Sequence, residues 1–221
     1  MERVLIIGAS GGIGSALAAS LAARGAAVTG LSRRADGFDV TDEAAVARGL
    51  GALEGPFDAI LVATGALDIA GHAPEKTLKS LEPAAFMAQM ALNALGPALV
   101  LKHGARLLPR DRSAVFAALS ARVGSIGDNR LGGWISYRAA KAALNQVIRT
   151  SAIELARSHP QSVCVALHPG TVQTRFTEKY AGRHATVPAA DAAAHLLAVI
   201  DRLTPADSGG FFDWKGDTIP W

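Results

Sequence analysis

The sequence predicts an α/β fold in one domain: a doubly wound parallel sheet with helices on both faces. Short apolar runs alternate with helix-like stretches almost throughout the 221 residues, which is typical of a parallel sheet that is covered on both sides. No internal repeat, low-complexity segment or linker divides the chain. Residues 1–221 are therefore predicted to form a single domain of ordinary size.

The elements follow in order along the chain. Strands are predicted at residues 4–7, 27–31, 58–63, 114–119, 163–167 and 210–214, where the apolar runs are short. Helices are predicted around 15–24, at 43–53, from 83 to about 108, at 134–157 and at 189–203. Gly96-Pro97 predicts a kink in the longest of these apolar helices.

Three stretches look least like regular structure, namely residues 66–81, 121–133 and 175–187. Each follows a predicted strand. Loops at the carboxyl ends of the strands hold the ligand in an open α/β sheet, so we expect these three to gather at one edge. Within the first of them, residues 75–79 are expected to form a solvated face.

Composition excludes several classes of function. The net charge is only +3 and the basic residues are scattered, which argues against a nucleic-acid partner. No apolar run reaches the roughly 18 residues of a membrane span, and the run at residues 4–7 is too short for a signal peptide. The single Cys164 cannot form an internal disulfide, which fits a reducing cytoplasm. The six histidines show no metal-ligand spacing, so no metal is expected.

Tyr137 and Lys141 lie four residues apart in an alanine-rich stretch that is predicted to be helical. At that spacing both side chains share one helical face. A free tyrosine, with a pKa near ~10, is a poor acid or base at neutral pH, and a lysine cation nearby is expected to lower that pKa. The pair therefore indicates an acid/base device.

A glycine-rich segment links the first predicted strand to the first helix. Glycine allows a tight turn and close approach to a ligand, and a helix N-terminus offers N–H groups to a phosphate. In this strand–turn–helix context the segment predicts dinucleotide binding. Its residues are Gly8, Ala9, Ser10, Gly11, Gly12, Ile13 and Gly14.

The end of the second strand bears on the choice between NAD(H) and NADP(H). An acid at this position binds the ribose 2′-hydroxyl, whereas an arginine accepts a 2′-phosphate. The chain has Ser32-Arg33-Arg34 here, and Asp36 comes later, in a turn. Arg33 therefore favours NADP(H) over NAD(H), while Arg34 is more readily explained as a solvated surface residue.

These motifs, in this order and spacing, resemble those of the short-chain dehydrogenase/reductase family, over essentially residues 4–214. Within the family, residues 120–126 and 132–134 resemble the branch of C-factor and Sniffer-like carbonyl reductases. The resemblance implies a Rossmann fold of about seven strands in the order 3-2-1-4-5-6-7. The residues that carry it are Gly8, Gly12, Ile13, Gly14, Asp39, Val40, Asn93, Tyr137, Lys141 and the segment Pro169-Gly170-Thr171-Val172-Gln173-Thr174.

The resemblance implies a role for each matching position. Tyr137 is the general acid, Lys141 lowers its pKa and holds the ribose hydroxyls of the nicotinamide nucleoside, and Asn93 keeps a proton-relay water in place. The remaining positions are implied to bind cofactor: the segment from Pro169 and Gly170 onward holds the carboxamide through the backbone of Val172 and the hydroxyl of Thr174, and Asp39 and Val40 meet the adenine.

The sequence departs from the family pattern at three places. Ile7 replaces a threonine before the first glycine. Val62-Ala63-Thr64-Gly65 replaces Asn-Asn-Ala-Gly, although Gly65 still permits close approach of the ribose. The third departure is Ala121, which stands where the substrate-orienting serine is expected.

The nearest hydroxyls to this missing serine are Ser120 and Ser125. Neighbouring strand residues face opposite sides of a sheet, so Ser120 can substitute only if the strand end is turned. We expect Ser120 to take the role, with Ser125 or no serine as the alternatives.

Two further residues have open roles. Trp134 either forms a wall of the substrate site or packs beneath the loop, and His168 is expected to cap or pack.

The resulting prediction is a cytoplasmic NADP(H)-dependent reductase or dehydrogenase of small carbonyl or alcohol substrates. It is expected to form a homodimer or homotetramer, because in the family the two helices at residues 83–108 and 134–157 pair across a two-fold axis. The alternative is an NADP-binding regulatory or cell-signalling protein with weak or no catalysis. The displaced serine favours the alternative, while Tyr137, Lys141 and Asn93 disfavour it.

Overall fold

A mostly parallel central sheet confirms the predicted fold class. The computed structural model describes residues 1–69, 71–174 and 186–221. The strands in these residues are β1 (Arg3–Ile7), β2 (Ala27–Leu31), β3 (Ala59–Val62), β4 (Ala114–Leu119), β5 (Ser162–His168), β6 (Val172–Gln173), β7 (Val187–Pro188) and β8 (Phe211–Asp213). Six of them form the sheet in the order β2-β1-β3-β4-β5-β8, with every neighbouring pair parallel. The short strands β6 and β7 pair with each other.

Helices cover both faces of the sheet. They are α1 (Gly12–Ala23), α2 (Arg33–Asp36), α3 (Glu43–Gly51), α4 (Pro83–Met90), α5 (Gly96–Gly104), α6 (Ile135–Ser158) and α7 (Ala189–Ile200). Consecutive strand residues point to opposite faces, so Leu5 and Ile6 belong to different core clusters. Leu5 packs in the cluster that contains Val100 and Ile148, on the side of α5 and α6. Ile6 packs in the cluster on the side of α1 and α7, which contains Leu21 and Leu197.

The long apolar helix predicted from residue 83 to about 108 is interrupted. A turn of π-helix, Ala91–Leu95, separates α4 from α5, directly before the predicted kink at Gly96-Pro97. Pro97 lies in the first turn of α5, directly after the π turn. The stretch Pro83–Leu107 is long and apolar enough to cross a membrane by length and composition alone. Val100 and Leu107, however, are fully buried against the sheet, as in the core helix of a globular domain.

One edge of the sheet differs from the expectation. The resemblance implied about seven strands in the order 3-2-1-4-5-6-7, and in the described residues the sheet has six and ends at β2. After β2 the chain passes through the single turn of α2 and reaches Asp39 and Val40 without a further strand. Residues 32–38 are too few for a crossover helix and a parallel strand, which need a dozen residues or more. The prediction of an additional strand at this edge is therefore wrong for the described residues.

The loops that follow β1, β3, β4 and β5 lie at the carboxyl edge of the sheet, because all these strands are parallel. Helix α6, which carries Tyr137 and Lys141, begins at this same edge, directly after residues 121–133. Residues 175–185 of the predicted stretch 175–187 lie outside the described part of the chain. The predicted gathering of loops thus concerns residues 66–81 and 121–133.

Candidate active site

Backbone packing leaves no room for a side chain at Gly8 or Gly14, at the two ends of the glycine loop between β1 and α1. Gly8 has a φ of +88°, and its carbonyl oxygen accepts the N–H of Gly11 at 3.0 Å. A Cβ on Gly14 would lie 2.2 Å from that same carbonyl oxygen. The loop therefore requires glycine at Gly8 and Gly14 for its own geometry, whatever it binds.

The glycine loop also meets the segment that follows β5. A Cβ on Gly12 would lie 2.4 Å from Cγ2 of Thr174, so two predicted cofactor-binding segments are in contact although 162 residues separate them (174 − 12). Ser10, Gly11 and Gly12 are exposed, and Ile13 is half-buried. The N-terminus of α1, with its unpaired N–H groups, is therefore accessible to a phosphate.

The end of β2 carries an acid that folds back on the strand. Oδ2 of Asp36 accepts the N–H of Ser32 at 2.8 Å and its hydroxyl at 3.2 Å. Ser32 is buried, whereas Arg33 is exposed. The Arg33 side chain is thus exposed beside Ser32, but the Asp36 carboxylate reaches the strand end that was expected to lack an acid, and the role of Ser32 and Arg33 in binding a 2′-phosphate stays a prediction.

Asp39, which was predicted to meet the adenine, accepts hydrogen bonds from the N–H and hydroxyl of Thr41. These bonds hold the pKa of the Asp39 carboxyl below its usual value, with a smaller contribution from the charge of Arg33.

The end of β3 brings Ala63, Thr64 and Gly65 next to the glycine loop. A Cβ on Gly8 would lie 3.0 Å from the backbone of Ala63 and 3.1 Å from Cγ2 of Thr64. The Thr64 hydroxyl is buried and has no hydrogen-bond partner in the structure. A Cβ on Gly65 would lie 2.9 Å from Oδ1 of Asn93 and 3.6 Å from Nζ of Lys141. Gly65 therefore leaves space between two of the predicted functional side chains.

Asn93 lies in the π turn, and its amide orientation is determined by hydrogen bonds. Its Nδ2 group donates to the carbonyl oxygen of Ala66 at 3.0 Å and to Oε1 of Gln89 at 2.6 Å. Gln89 in turn donates to the carbonyl oxygen of Leu67 at 2.7 Å. Both hydrogens of the Asn93 amide are thus used, and Oδ1, which is buried and has no partner, points toward Gly65 and Lys141. π turns occur frequently at functional sites.

Tyr137 and Lys141 are adjacent on α6, as the spacing predicted. Nζ of Lys141 lies 5.8 Å from the centroid of the Tyr137 ring and donates to the carbonyl oxygen of Leu119 at 2.8 Å. The pKa shifts differ from the expectation. Burial lowers the pKa of Lys141 to about 7, and burial raises the pKa of Tyr137 above its usual value. The predicted lowering of the Tyr137 pKa by a lysine cation is therefore wrong in sign, since desolvation favours the neutral form of both groups.

The two candidate serines both donate their hydroxyl hydrogens to acceptors within the protein. Ser120 is buried and donates to Oδ1 of Asn145 at 2.6 Å. Ser125 donates to the carbonyl oxygen of Pro220 at 2.5 Å and accepts the N–H of Asp128 at 3.1 Å. Each hydroxyl hydrogen already has an acceptor within the protein. The assignment of Ser120 as a second donor to substrate stays a prediction.

The segment after β5 turns at Gly170, which has a φ of +80° and packs against the indole of Trp214. Pro169 is half-buried, Val172 is buried in β6, and Thr174 reaches the glycine loop. Burial lowers the pKa of His168, just before this turn, to about 4, with a smaller effect of the Arg122 cation in the same direction. The neutral ring of His168 is consistent with the predicted packing role.

Glu75 is a site residue that the sequence did not reveal. We expected residues 75–79 to form a solvated face, and residues 76–79 are exposed, but Glu75 is buried and accepts hydrogen bonds from Ser136. The residue before the helix, Trp134, is half-buried, and its ring meets the Tyr137 ring edge-on at 6.4 Å. Glu75 and Ser136 are 61 residues apart, so no pattern in the sequence near Glu75 indicates that this acid is buried. Among the described residues no group of three His, Cys, Asp or Glu side chains could hold a metal ion.

A parallel α/β sheet with a glycine loop at its first helix, and a buried Tyr–Lys pair at its carboxyl edge, defines a class: the Rossmann-fold oxidoreductases. Within this class, the family model for short chain dehydrogenases matches residues 2–184. The chain belongs to the short-chain dehydrogenase family.

Three known proteins illustrate the relationship. 1-Hydroxy-2-glutathionyl-2-methyl-3-butene dehydrogenase of Rhodococcus sp. (strain AD45) is 33% identical over 238 aligned positions, which cover 100% of both chains. C-signal of Myxococcus xanthus is 41% identical over 134 residues, 59% of this chain and 75% of that protein. A crystal structure from Burkholderia multivorans, described as a short-chain dehydrogenase/reductase with bound NADP, has 27% identity, a TM-score of 0.83 and coverage of 100% of this chain and 99% of that one. The resemblance stated from the sequence is confirmed.

Proposed function

We propose that this protein is an NADP(H)-dependent reductase of small carbonyl compounds, or dehydrogenase of the corresponding alcohols, with Tyr137 as the general acid or base. The observation that supports the proposal is that Asn93 and Lys141 border the space left by Gly65 and that the Tyr137 ring lies beside the Lys141 ammonium. The full-length relative from Rhodococcus is named as a dehydrogenase, and the similar structure from Burkholderia multivorans holds NADP.

The described residues fit a dinucleotide. The glycine loop contacts Thr174 at Gly12, where any side chain would collide with the threonine. Two buried polar atoms without partners, Oγ1 of Thr64 and Oδ1 of Asn93, lie at the same carboxyl edge of the sheet. Arg33 supplies an exposed cation for a 2′-phosphate. The cofactor supplies the hydride for carbonyl reduction.

The chain's own residues account for the movement of the proton. Because burial raises the pKa of Tyr137, its phenol stays protonated at neutral pH and can donate to a carbonyl oxygen that becomes an oxyanion. Lys141 lies on the same face of α6 as Tyr137, and its ammonium donates to the carbonyl oxygen of Leu119 at the end of β4. Its pKa of about 7 allows it to take up or release a proton near neutral pH, as a relay between Tyr137 and solvent requires.

The test is an assay of the pure protein with NADPH and a panel of aldehydes, ketones and quinones, followed through loss of cofactor absorbance. Tyr137→Phe should abolish turnover and leave NADPH affinity nearly unchanged, because only the proton donor is removed. Lys141→Ala should lower both, because the lysine is proposed to relay the proton and to hold the ribose hydroxyls of the nicotinamide nucleoside. Retention of more than about a tenth of the wild-type rate by Tyr137→Phe would exclude it as the general acid.

A second candidate function is an NADP-binding regulatory or signalling protein with weak catalysis. The internal hydrogen bonds of Ser120 and Ser125 favour it, because each serine hydrogen that could be donated to the substrate oxygen is already donated within the protein. Tight NADPH binding without turnover of any compound in the panel would support this function over the first.

We also propose that the protein is a cytoplasmic homodimer or homotetramer with no nucleic-acid or membrane partner. Three large apolar side chains on the helices expected to pair are at least half exposed, namely Met87 at 65%, Leu95 at 50% and Ile153 at 54%. Exposed apolar groups on a pair of neighbouring helices are typical of a subunit interface.

A further inference from the structure

Glu75 is a buried acid to which the proposed function gives no task. It is only 7% exposed, although the four residues that follow it are exposed. A carboxylate is buried without a large loss of stability only when its oxygens are hydrogen-bonded. The partners of Glu75 therefore indicate its role.

Within the described residues, the hydrogen-bond partners of Glu75 lie at the start of α6. The N–H of Ser136 donates to both carboxylate oxygens, at 3.2 and 3.3 Å, and the Ser136 hydroxyl donates to Oε1. The backbone of Glu75 takes part as well, since its carbonyl oxygen accepts the N–H of Trp134 at 2.5 Å. Ser136 is itself buried.

Helix α6 has no cap of its own. The residue that precedes its first turn is Trp134, whose side chain makes no capping bond and whose φ of +53° is in the left-handed region. The first turn contains no acidic residue. The first N–H groups of a helix need acceptors, and a negative charge at that end is favourable. Glu75 supplies an acceptor and a charge from the loop after β3.

Tyr137 directly follows Ser136, in the turn that Glu75 holds. Helix ends fray more readily than helix interiors, whereas Lys141 lies one turn further in and is held by the Leu119 carbonyl oxygen. The distance between phenol and ammonium therefore depends on the order of the first turn. Trp134, whose ring meets the Tyr137 ring edge-on, is held by the same loop.

We propose that Glu75 is a positioning residue for Tyr137: it caps α6 from the loop at residues 66–81 and thereby fixes the phenol beside Lys141. This role rests on the proposed function, in which Tyr137 is the proton donor. It does not require Glu75 to touch substrate or cofactor.

The kinetic test compares Glu75→Ala, Glu75→Gln and the control Glu82→Ala. Glu82 is an exposed acid at the start of α4 whose side chain makes no capping bond. Glu75→Ala should lower kcat by about tenfold or more, since small misplacements of a catalytic group are costly, and leave the Kd of NADPH within about twofold. Glu75→Gln should recover most of the rate, because its amide oxygen still accepts from Ser136. Glu82→Ala should match the wild type.

A spectroscopic measurement separates this role from catalysis. The chain has two tyrosines, so labelling the tyrosine rings with ¹³C gives two sets of signals, and Tyr137→Phe identifies its own. Glu75→Ala should shift or broaden the Tyr137 signals, and Glu75→Gln should leave them near those of the wild type. If the wild-type protein reduces nothing in the panel, the proposed function fails while this measurement still decides the positioning role.

An unchanged Tyr137 signal in Glu75→Ala would overturn the proposal, whether or not the rate falls. If Glu75→Ala does not fold, Ser136→Ala replaces it, since it removes one of the hydrogen bonds and keeps the backbone ones. Ser136→Ala should then show a smaller change of kcat and of the Tyr137 signal in the same direction, and the absence of both would equally overturn the proposal.

Discussion

Burial of Lys141 should make the free energy of unfolding rise with pH. An exposed lysine has a pKa near ~10.4, whereas burial lowers that of Lys141 to about 7. Between these values the unfolded chain binds a proton that the folded chain does not. The free energy of unfolding therefore increases as pH rises through this window. Below the window, the folded protein carries the full free-energy cost of burying a charged ammonium.

The expected size follows from the same shift. One pKa unit corresponds to about 1.4 kcal/mol, so lowering the pKa from its usual 10.5 to about 7 corresponds to a penalty of about 5 kcal/mol at acidic pH. Between about pH 6 and about pH 9 the linkage relation gives a gain of about 3 kcal/mol in the free energy of unfolding. Lys141→Met keeps an unbranched apolar chain and removes the ammonium, so it should abolish this gain.

The assay is urea denaturation followed by tryptophan fluorescence at several pH values, for wild type, Lys141→Met and Lys79→Met. Lys79 is exposed, so its removal controls for the loss of a positive charge. The difference between wild type and Lys141→Met should change by about 3 kcal/mol from about pH 6 to about pH 9, with Lys79→Met parallel to the wild type. Parallel curves for wild type and Lys141→Met would show that Lys141 does not titrate near neutral pH.

Four further predictions follow from the site. Gly14→Ala should lower the free energy of unfolding by about 1–3 kcal/mol, measured by thermal or urea denaturation, because its Cβ would meet the Gly8 carbonyl oxygen at 2.2 Å. Arg33→Ala should weaken NADPH binding by about 1–3 kcal/mol in titration calorimetry, and tighter binding of NADH than NADPH by the wild type would contradict the cofactor assignment. If Ser120 assists Tyr137, Ser120→Ala should lower the rate by about 10²–10³, whereas a loss only in Ser125→Ala would reverse the assignment. Sedimentation at micromolar concentration should give a multiple of 22.7 kDa, and a mass near that of one chain would exclude the dimer.

Local sequence signals predicted most of the fold and the reacting pair. The apolar runs gave all six strands of the main sheet, because a buried parallel strand needs several consecutive apolar residues. The helical spacing of Tyr137 and Lys141 placed both side chains on one face of α6, as the structure has them. The glycine pattern likewise predicted the turn before α1.

Long-range contacts explain what the sequence could not show. The hydroxyl of Ser125 donates to the carbonyl oxygen of Pro220, 95 residues away, and that of Ser120 donates to Asn145, 25 residues away. The acid of Glu75 lies in a polar stretch whose other residues are solvated, so composition gave the opposite impression. The sign of the Tyr137 pKa shift depended on the extent of burial, which spacing along a helix does not indicate.

The short connection after β2 has a consequence for the behaviour of the protein in concentrated solution. Because the described sheet ends at β2, one side of that strand presents backbone groups without a neighbouring strand, and such edges can pair with another chain and aggregate. Charged side chains next to an edge oppose this pairing, and Arg33 and Arg34 lie directly beyond the strand. Arg33, the candidate for nucleotide recognition, and its neighbour Arg34 therefore place two positive charges where they oppose pairing of this edge with that of a second molecule.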